Sequence, residues 1–294
     1  ASGVISEALK SDVDASVRSA AAEALYALVG YEAFEELMSA LEKDADGVVR
    51  ASCLKCLGKI GGAKAGEKLR EALKNDAASV ARAQAAESLG HMKDKEAFAL
   101  LKEAAYQDSS TDVQEAAILA VGGYPGKESM EVLCDALKKP DLQDAAITSI
   151  HENRRANESK EAINSIMRIV DASPDMIDDE RVIGIFLASG DSSVIPYFRR
   201  YILHPYSDRD KYEDIARIVR RSGDQQMVSQ LISDLRSAQD SSVQINVATA
   251  LGYLGDPRAT PVLLNCLQSR SRYSSHVPKH FVSALEVIGD PRAF

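Results

Sequence analysis

The sequence predicts an all-α protein, a right-handed α-solenoid (superhelix) of about nine stacked helical hairpins. The first observation is a recurring motif: residues 14–18 (DASVR) lead into an apolar helix that stops at Gly30, and residues 46–50 (DGVVR) lead into one that stops at Gly61. The second is a constant register of 32 residues, shown by the anchor positions Val17, Val49, Ala81 and Val113. Two-helix repeats of this length bury their apolar faces only when they stack.

Each repeat is predicted to contain a first helix, a turn, a second helix and a turn with glycine. In the first repeat the second helix should run from about Ser16 to Val29, with Asp14 as its N-cap and Gly30 as its stop. In the second repeat it should run from Val48 to Ile60. The apolar spacing of three to four residues predicts that positions 21, 24, 25 and 28, and their equivalents 32 residues later, face one core.

A single array is expected to span residues 1–294. Its repeats are regular over 1–126, degenerate over 127–223 and regular again over 224–289, and a further repeat starts at 290–294. In the degenerate part, residues 151–155 (HENRR) replace the usual Leu-Gly ending, and residues 204–211 form a long irregular loop. Because the chain ends within a repeat, we expect a fragment of a longer protein.

Composition and charge narrow the classes of function. The chain has 294 residues, 45% of them hydrophobic and 27% charged, as in ordinary soluble proteins. The net charge of −9 disfavours general nucleic-acid binding, which needs basic side chains to neutralise phosphates. No apolar run reaches the ~20 residues of a membrane span. A cytoplasmic location is expected, although a chain that does not begin with Met leaves a processed leader open.

Cys53 and Cys56 form a C-x-x-C pair, which would suit redox chemistry or a metal. They also occupy the positions of Ala21 and Ala24 in the first repeat, where free cysteine behaves as a small hydrophobe. No second C-x-x-C and no neighbouring histidine completes a zinc site. We expect both thiols to be buried, reduced and free of metal, and we expect no cofactor.

The pattern D-x-x-V-R-x-x-A-x-x-A-L-x-x-L-G, with G-D-P-R-A at residues 255–259 and 289–293, resembles the HEAT-like repeats of the phycobilisome-lyase type. The resemblance implies that the second helices form the inner, concave face. Three arginines would then either line that face as a ladder or cap the adjacent helix ends: Arg18, Arg50 and Arg82. The family includes scaffolds, chromophore lyases and regulators, so the resemblance specifies the fold more closely than the function.

One further family comparison concerns a metal. The di-iron hydroxylases with HEAT-like repeats hold their irons with four His-Glu pairs on separate repeats. This chain has the single pair His151-Glu152 and only five histidines. The ligand set is incomplete, and a local change in a turn is the favoured interpretation of this pair.

The seventh repeat carries the strongest functional signal, because Tyr and Arg are unusually dense between residues 197 and 221. Both residue types are enriched at interface hot spots. The candidate partner-binding residues are Arg200, Tyr201, His204, Tyr206, Arg209 and Tyr212. In the alternative interpretation, Asp208, Asp210, Glu213 and Asp214 neutralise the basic side chains, and the tyrosines are half-buried between repeats.

Taken together, these features predict a non-catalytic scaffold that binds a protein or peptide partner on the concave face or on the irregular central repeats. The alternative is an enzyme, a bilin lyase-like subunit, as the family resemblance implies. Arg200, Tyr201, His204 and Arg209 would then line a pocket for the tetrapyrrole. A HEAT-like DNA glycosylase is a third possibility, disfavoured by the acidic balance and the lack of Trp.

Overall fold

A computed structural model of the chain describes residues 2–153, 159–268 and 277–293. Every regular element within these ranges is a helix, which confirms the all-α class. The chain divides into two compact units, Ala1–Ala156 and Asn157–Phe294. None of the described helices has both the length and the apolar character needed to cross a bilayer. The right-handed sense, the number of repeats and the single continuous array stay predictions.

The first unit contains ten α-helices, and each odd-numbered helix packs against the next even-numbered one. The even-numbered helices also pack against one another in order and form one layer. Their bounds are α1 Ser2–Ser11, α2 Ala15–Val29, α3 Phe34–Lys43, α4 Gly47–Ile60, α5 Ala63–Asn75, α6 Ser79–Met92, α7 Phe98–Gln107, α8 Thr111–Gly122, α9 Lys127–Ala136 and α10 Gln143–Glu152.

The second unit follows the same scheme over eight described helices. Their bounds are α11 Lys160–Ala172, α12 Glu180–Ser189, α13 Ile195–Ile202, α14 Tyr212–Ser222, α15 Gln226–Ser237, α16 Ser241–Leu254, α17 Thr260–Gln268 and α18 Val277–Ile288. Short 3-10 turns at Pro174–Asp178 and Arg209–Lys211 interrupt the loops of the irregular region. The sequence between α17 and α18 indicates a long, basic loop at residues 269–275, and this segment lies outside the described residues.

The predicted signals for the starts and stops of the second helices are confirmed. The Asp14 carboxylate accepts a hydrogen bond from the Ser16 backbone N–H at 2.8 Å and so caps α2. Asp46 does the same for α4 through the Val48 N–H, also at 2.8 Å. Gly30, with φ of 61°, ends α2 in a conformation that side chains disfavour.

The predicted core register holds for two of the four positions of α2 and fails for the other two. Ala21 and Leu25 are buried, as are their equivalents Cys53 and Leu57 in α4. Ala24 and Leu28, however, are exposed, so placing them in the core was wrong. Cys56, at the position of Ala24, is covered by α2, whereas no described helix covers the same side of α2. Both C-x-x-C thiols are buried, as predicted.

Successive second helices approach one another closely at one glycine position of the repeat. A Cβ atom added at Gly58 would lie 2.6 Å from the Ser88 Cβ, and one added at Gly90 would lie 2.7 Å from the Ala120 Cα. Gly122 meets the next helix in the same way, with 2.6 Å to the Ser149 Cβ. Since real Cβ atoms do not approach this closely, α4, α6 and α8 require glycine at this position, where α2 has Tyr26. The sequence analysis did not predict this role.

The arginine after each anchor position joins one repeat to the next. Arg50 donates from Nε and Nη2 to the two carboxylate oxygens of Asp76, at 2.8 and 2.6 Å, and from Nη1 to the Asp44 and Ala45 carbonyls at 3.0 Å. Arg18 binds Asp44 in the same way, and Arg82 binds Asp108. The arginines are therefore partly buried clamps, and they do not form an open ladder on the concave face.

The series of clamps ends where its acceptor is lost. The position 32 residues after Asp108 is Pro140, which has no carboxylate. In the same repeat the arginine is replaced by Gln114, whose side-chain amide donates to the Asp108 carbonyl at 2.7 Å. Gln114 thus keeps the hydrogen bond that the arginines donate to a backbone carbonyl. The ion pair is lost, since position 140 offers no carboxylate.

We expect Leu57→Ala to lower the free energy of unfolding by about 2–5 kcal/mol, because it leaves a cavity between stacked hairpins. Leu28→Ala removes the same atoms from an exposed position of another second helix. It should change stability by no more than about 0.5 kcal/mol. Urea unfolding followed by circular dichroism measures both. Equal losses in the two variants would contradict the register described above.

The clamps should also make stability depend on pH. Hydrogen bonds from Arg18 and Arg82 hold the pKa of Asp44 and of Asp108 below its ordinary value, against the opposing effect of partial burial. Carboxyl groups with a lowered folded-state pKa stabilise the fold above the unfolded pKa of about 3.9, and this stabilisation is lost as the pH falls further. Replacing Arg18, Arg50 and Arg82 by Gln should therefore lower the urea midpoint at pH 7.

The difference in urea midpoint between this triple variant and the unaltered protein should narrow as the pH falls below about 4. Gln is the matched replacement, because it is the residue at position 114. A difference that stays constant from pH 7 to about 3 would show that the arginines act by packing and not by charge.

Candidate functional site

The loop between α13 and α14 holds three of the six predicted partner-binding residues, and the tyrosines in the two helices beside it are buried. Tyr201 and Tyr212 meet edge to face, with ring centroids 6.4 Å apart. The Tyr201 hydroxyl accepts a hydrogen bond from the Asp208 N–H at 2.8 Å, and the Tyr212 hydroxyl lies 2.5 Å from the Ser207 hydroxyl. Burial raises the pKa of both tyrosines. These two side chains form the interior of the loop.

Asn246, in α16, fastens this loop to the next hairpin. Its side chain is 0% exposed. The Nδ2 atom donates to the His204 carbonyl at 2.8 Å and to Ser207 Oγ at 3.1 Å, and Oδ1 accepts from Arg209 Nε at 2.8 Å. A buried amide whose NH2 group and carbonyl oxygen both form hydrogen bonds holds its neighbours in one arrangement. The loop is irregular in sequence and fixed in structure.

The other three predicted residues, Arg200, His204 and Tyr206, lie around this loop near the surface. Arg200 donates from Nη1 to Asp171 at 2.9 Å and lies over the Tyr197 ring. His204 Nδ1 is 2.6 Å from Asp178 Oδ1, a contact without the alignment of a hydrogen bond. Tyr206 is 90% exposed, and its ring centroid lies 5.8 Å from that of His204.

The structure therefore brings five of the six predicted residues together and leaves Arg200 on the neighbouring surface of α13. Tyr201, Tyr212 and Arg209 hold the loop itself, and both tyrosines are buried more deeply than the alternative interpretation expected. Tyr206 is the member that presents a large free surface. The tetrapyrrole lining suggested by the lyase resemblance would need Tyr201, which is buried and bonded to Asp208.

A second candidate site, missed by the sequence analysis, is a groove in the first unit. It has a volume of about 950 Å³ and crosses α6, α8 and α10. Small residues from these three helices form its floor: Gly90, Ala116, Ala120, Gly122, Gly123 and Ser149. Longer side chains stand around it: Glu87, His91, Lys93, Leu119, Glu152 and Asn153. We call this feature the α6–α10 groove.

The groove lies where the fourth repeat differs from the second and third at two surface positions. Glu23, Lys55 and Glu87 occupy one position in the first three repeats, where the fourth has Leu119, which is 45% exposed. The other position has Ala27, Lys59 and His91 in the first three repeats, where the fourth has Gly123. Relative to the two preceding repeats, two charged or polar side chains are thus replaced by one apolar side chain and one glycine. These changes are visible when the repeats are aligned at intervals of 32 residues. They lie outside the apolar positions from which the register was recognised.

The surroundings of the α6–α10 groove differ from those of the surface before it. Glu23 and Lys55 pair with each other at 3.0 Å, so the charges there are neutralised within the protein. At the groove, Glu87 accepts a hydrogen bond from the Gln84 amide at 2.9 Å, and Glu152 is exposed at the end of α10. The combination is a small apolar floor surrounded by two carboxylates and one ammonium group, that of Lys93.

The metal hypothesis drew on His151 and Glu152, and both side chains are exposed at the end of α10. Within residues 2–153, 159–268 and 277–293, no three His, Cys, Asp or Glu side chains are grouped as metal ligands. Residues 154 and 155 of the predicted irregular segment lie outside these ranges. Burial raises the pKa of the Cys53 thiol to about 12 and that of Cys56 to about 11, so neither is a thiolate at neutral pH.

Comparison with solved structures shows a shared fold. The X-ray structure of YibA from Escherichia coli has a TM-score of 0.54 and 19% identity and covers 98% of this chain and 92% of that one. Human deoxyhypusine hydroxylase in complex with glycerol has a TM-score of 0.37 and 18% identity, with 98% and 96% covered. The complex of CpcE and CpcF of phycocyanin lyase from Nostoc sp. PCC7120 has a TM-score of 0.44 and 17% identity, with 80% and 96% covered.

At 19% identity, the YibA structure supports the fold alone. The other two structures have TM-scores below 0.5 and add no support to it. No curated protein matches the sequence. The family model described as HEAT repeats matches residues 4–90, 66–151 and 216–294, more than half of the chain. Together with the stacked helical hairpins, this match shows that the protein belongs to the family of HEAT-repeat proteins.

Proposed function

We propose that the protein is a non-catalytic scaffold that binds a segment of a protein partner in the α6–α10 groove. The observation that carries this proposal is the change from charged or polar side chains to Leu119 and Gly123 at two surface positions of the fourth repeat. The change opens a groove with a volume of about 950 Å³ within an otherwise regular layer of helices. Clefts of this size, with a small number of polar groups around them, are typical binding sites.

The chemistry of the groove indicates the kind of segment it would hold. The floor of glycine, alanine and serine leaves room for one large apolar side chain, and Leu119 offers an aliphatic contact beside it. Glu87 and Glu152 outnumber the one basic residue of the lining, Lys93, and so favour a positive charge next to that apolar group. The preferred partner segment therefore has an aliphatic or aromatic anchor with Lys or Arg nearby.

The compartment is proposed on separate grounds. All four cysteines are buried thiols: Cys53, Cys56, Cys134 and Cys266. A protein that keeps its thiols reduced suits the cytoplasm, and we propose that location for it.

A second candidate surface is the exposed Tyr206, favoured by its presentation. The side chain is 90% exposed, and the backbone that carries it is held by Asn246 through His204 and Ser207. A rigid loop loses little conformational entropy when an aromatic side chain binds a partner. We propose that Tyr206, with His204 beside it, forms an accessory contact, and that the other predicted residues support this contact from below.

The groove is tested by substituting Leu119. Peptides are first selected from a phage-displayed random library against the intact protein, and their dissociation constants are then measured by fluorescence anisotropy. Leu119→Glu should weaken the groove-binding peptides about tenfold or more, because it puts a carboxylate where the apolar anchor lies. Val80→Glu is the matched control, since Val80 lies in α6, outside the groove, and is 44% exposed.

The selected sequences should contain an apolar anchor next to a basic residue, and Val80→Glu should leave their affinity unchanged. Unaltered binding to a folded Leu119→Glu variant would overturn the assignment of the groove.

The Tyr206 surface is tested with the same peptides and with Tyr206→Ser. Tyr31→Ser is its control, because Tyr31 is also an exposed tyrosine, at 75%. Peptides that bind the loop should lose about tenfold or more in affinity to Tyr206→Ser and nothing to Tyr31→Ser. Arg209 is left intact, because its contact with Asn246 would confuse a binding defect with a folding defect. If no selected peptide responds to Tyr206→Ser, the loop is not a binding surface.

A further inference from the structure

Lys93 ends α6 in a backbone conformation that lysine disfavours. In the described part of the chain it is the one residue other than glycine with a positive φ, at 52°. This left-handed region is sterically unfavourable for every residue with a side chain, and glycine adopts it freely. Three second helices of the second unit end in the same conformation, and each has glycine there: Gly190, Gly223 and Gly255.

The hydrogen bonds of this turn do not require a lysine. The Lys93 N–H donates to the Gly90 carbonyl at 3.1 Å. At the corresponding end of α16, the Gly255 N–H donates to the Gly252 carbonyl at 3.0 Å. Both contacts use backbone atoms alone, so glycine would form the α6 turn at least as well. Strained residues of this kind cluster at functional sites, where the side chain has a separate role.

The acidic residues that follow Lys93 are paired with another basic side chain. Arg70, in α5, forms ion pairs with Asp94 through Nη1 and with Glu96 through Nη2, the second at 2.9 Å. Lys93 is exposed, and the ion pairs found among the described residues do not include it. Its ammonium charge is therefore available at the edge of the α6–α10 groove, which Lys93 lines.

The ends of α6 and α10 give the groove two charges of opposite sign. Lys93 follows the last residue of α6, and Glu152 is the last residue of α10. Between them lies α8, which packs against both helices and carries the apolar Leu119. Glu87 lies further back in α6, more than one helical turn before its end. The apolar part of the groove thus has a positive charge at one helix end and a negative charge at the other.

We propose that Lys93 determines the specificity of the α6–α10 groove by binding an Asp or Glu side chain of the partner segment. This inference rests on the proposed function of the groove and adds a second charge to the segment. The segment then has an apolar anchor at Leu119, a basic residue toward Glu152 and an acidic residue toward Lys93. Such a segment binds in one direction, since the reversed segment would bring like charges together.

The first test measures peptide affinity after removal of the ammonium group. The peptides are those that bind the groove, identified by their loss of affinity to Leu119→Glu, and each should contain Asp or Glu beside its anchor. They are synthesised with amidated C-termini, so that side chains are their only carboxylates. Lys93→Ala should weaken their binding about threefold or more, the effect of an exposed ion pair.

Lys95→Ala is the matched control. Lys95 is also exposed and lies two residues from Lys93, but it does not line the groove. The substitution changes the net charge of the protein by the same amount and should leave the affinity unchanged. Equal losses in Lys93→Ala and Lys95→Ala would show a general effect of charge and would overturn the proposal.

Lys93→Gly separates binding from stability. It removes the ammonium group and the backbone strain together, so its urea midpoint should lie above that of Lys93→Ala, whereas the two variants should lose the same affinity. Lys93→Arg keeps the charge and should keep the affinity. If affinity follows the urea midpoint across these variants, and not the charge, then Lys93 acts only on the turn and the proposal is wrong.

A double-mutant cycle identifies the group that Lys93 contacts. Replacing the acidic residue of the peptide by its amide, Asn or Gln, should weaken binding to the unaltered protein about threefold or more. The same replacement should have little effect on binding to Lys93→Ala, because the ion pair is already absent. A full loss with both proteins would place the peptide carboxylate elsewhere and would contradict the assignment.

The results also distinguish this inference from the proposed function on which it rests. Peptides that lose affinity to Leu119→Glu and keep it with Lys93→Ala would leave the groove as the binding site and overturn the role of Lys93. Peptides that are unaffected by Leu119→Glu would overturn the groove itself, and the inference with it.

Discussion

The close approach of each second helix to the next, from α4 to α10, is the constraint on which most of the first unit depends. Gly58, Gly90 and Gly122 allow it, since a methyl group at any of them would overlap the following helix. At this separation Leu57 and Leu89 are fully buried. A bulky residue at one of these three glycines would force the next helix away, whereas α2 has Tyr26 at the equivalent position and its Arg18 still binds Asp44.

The arginine clamps are one of those contacts. Arg50 reaches the Asp76 carboxylate and the carbonyls at the start of its own helix at the same time, which is possible only if the next repeat lies at a fixed distance. Both ends of the guanidinium are therefore occupied within the protein. An arginine in this arrangement has few hydrogen-bond donors available for a ligand. The row of arginines that the sequence suggested as a surface of the concave face therefore holds the scaffold together.

Much of the fold could be predicted from the sequence because the evidence for it is local and repeated. Caps such as Asp14, stops such as Gly30 and the apolar spacing of the second helices depend on residues within a few positions of one another, and the predicted ends of α2 and α4 differ from the observed ones by one residue or less. The exposure of Ala24 and Leu28 was not predictable from the repeat itself, because burial there depends on a neighbouring hairpin.

The candidate sites were harder to predict for a different reason. Counting Tyr and Arg between residues 197 and 221 found the irregular loop, but composition does not distinguish an exposed tyrosine from a buried one. The distinction depends on Asn246, which contacts residues 37 to 42 positions away and carries no signal that links it to them. In contrast, the information for the α6–α10 groove was available in the alignment of the repeats, at positions that do not enter the core.

A repeated scaffold separates the positions that hold it together from those that are free to change. Glu23, Lys55, Glu87 and Leu119 share one location on successive second helices, and none of them is buried. A substitution there changes the surface and leaves the core register intact, so a groove can form in one repeat without displacing its neighbours. The stacking positions behave in the opposite way, since they stay apolar in α2 even where they face solvent. Variation at the first kind of position marks where we propose that this protein binds a segment of chain.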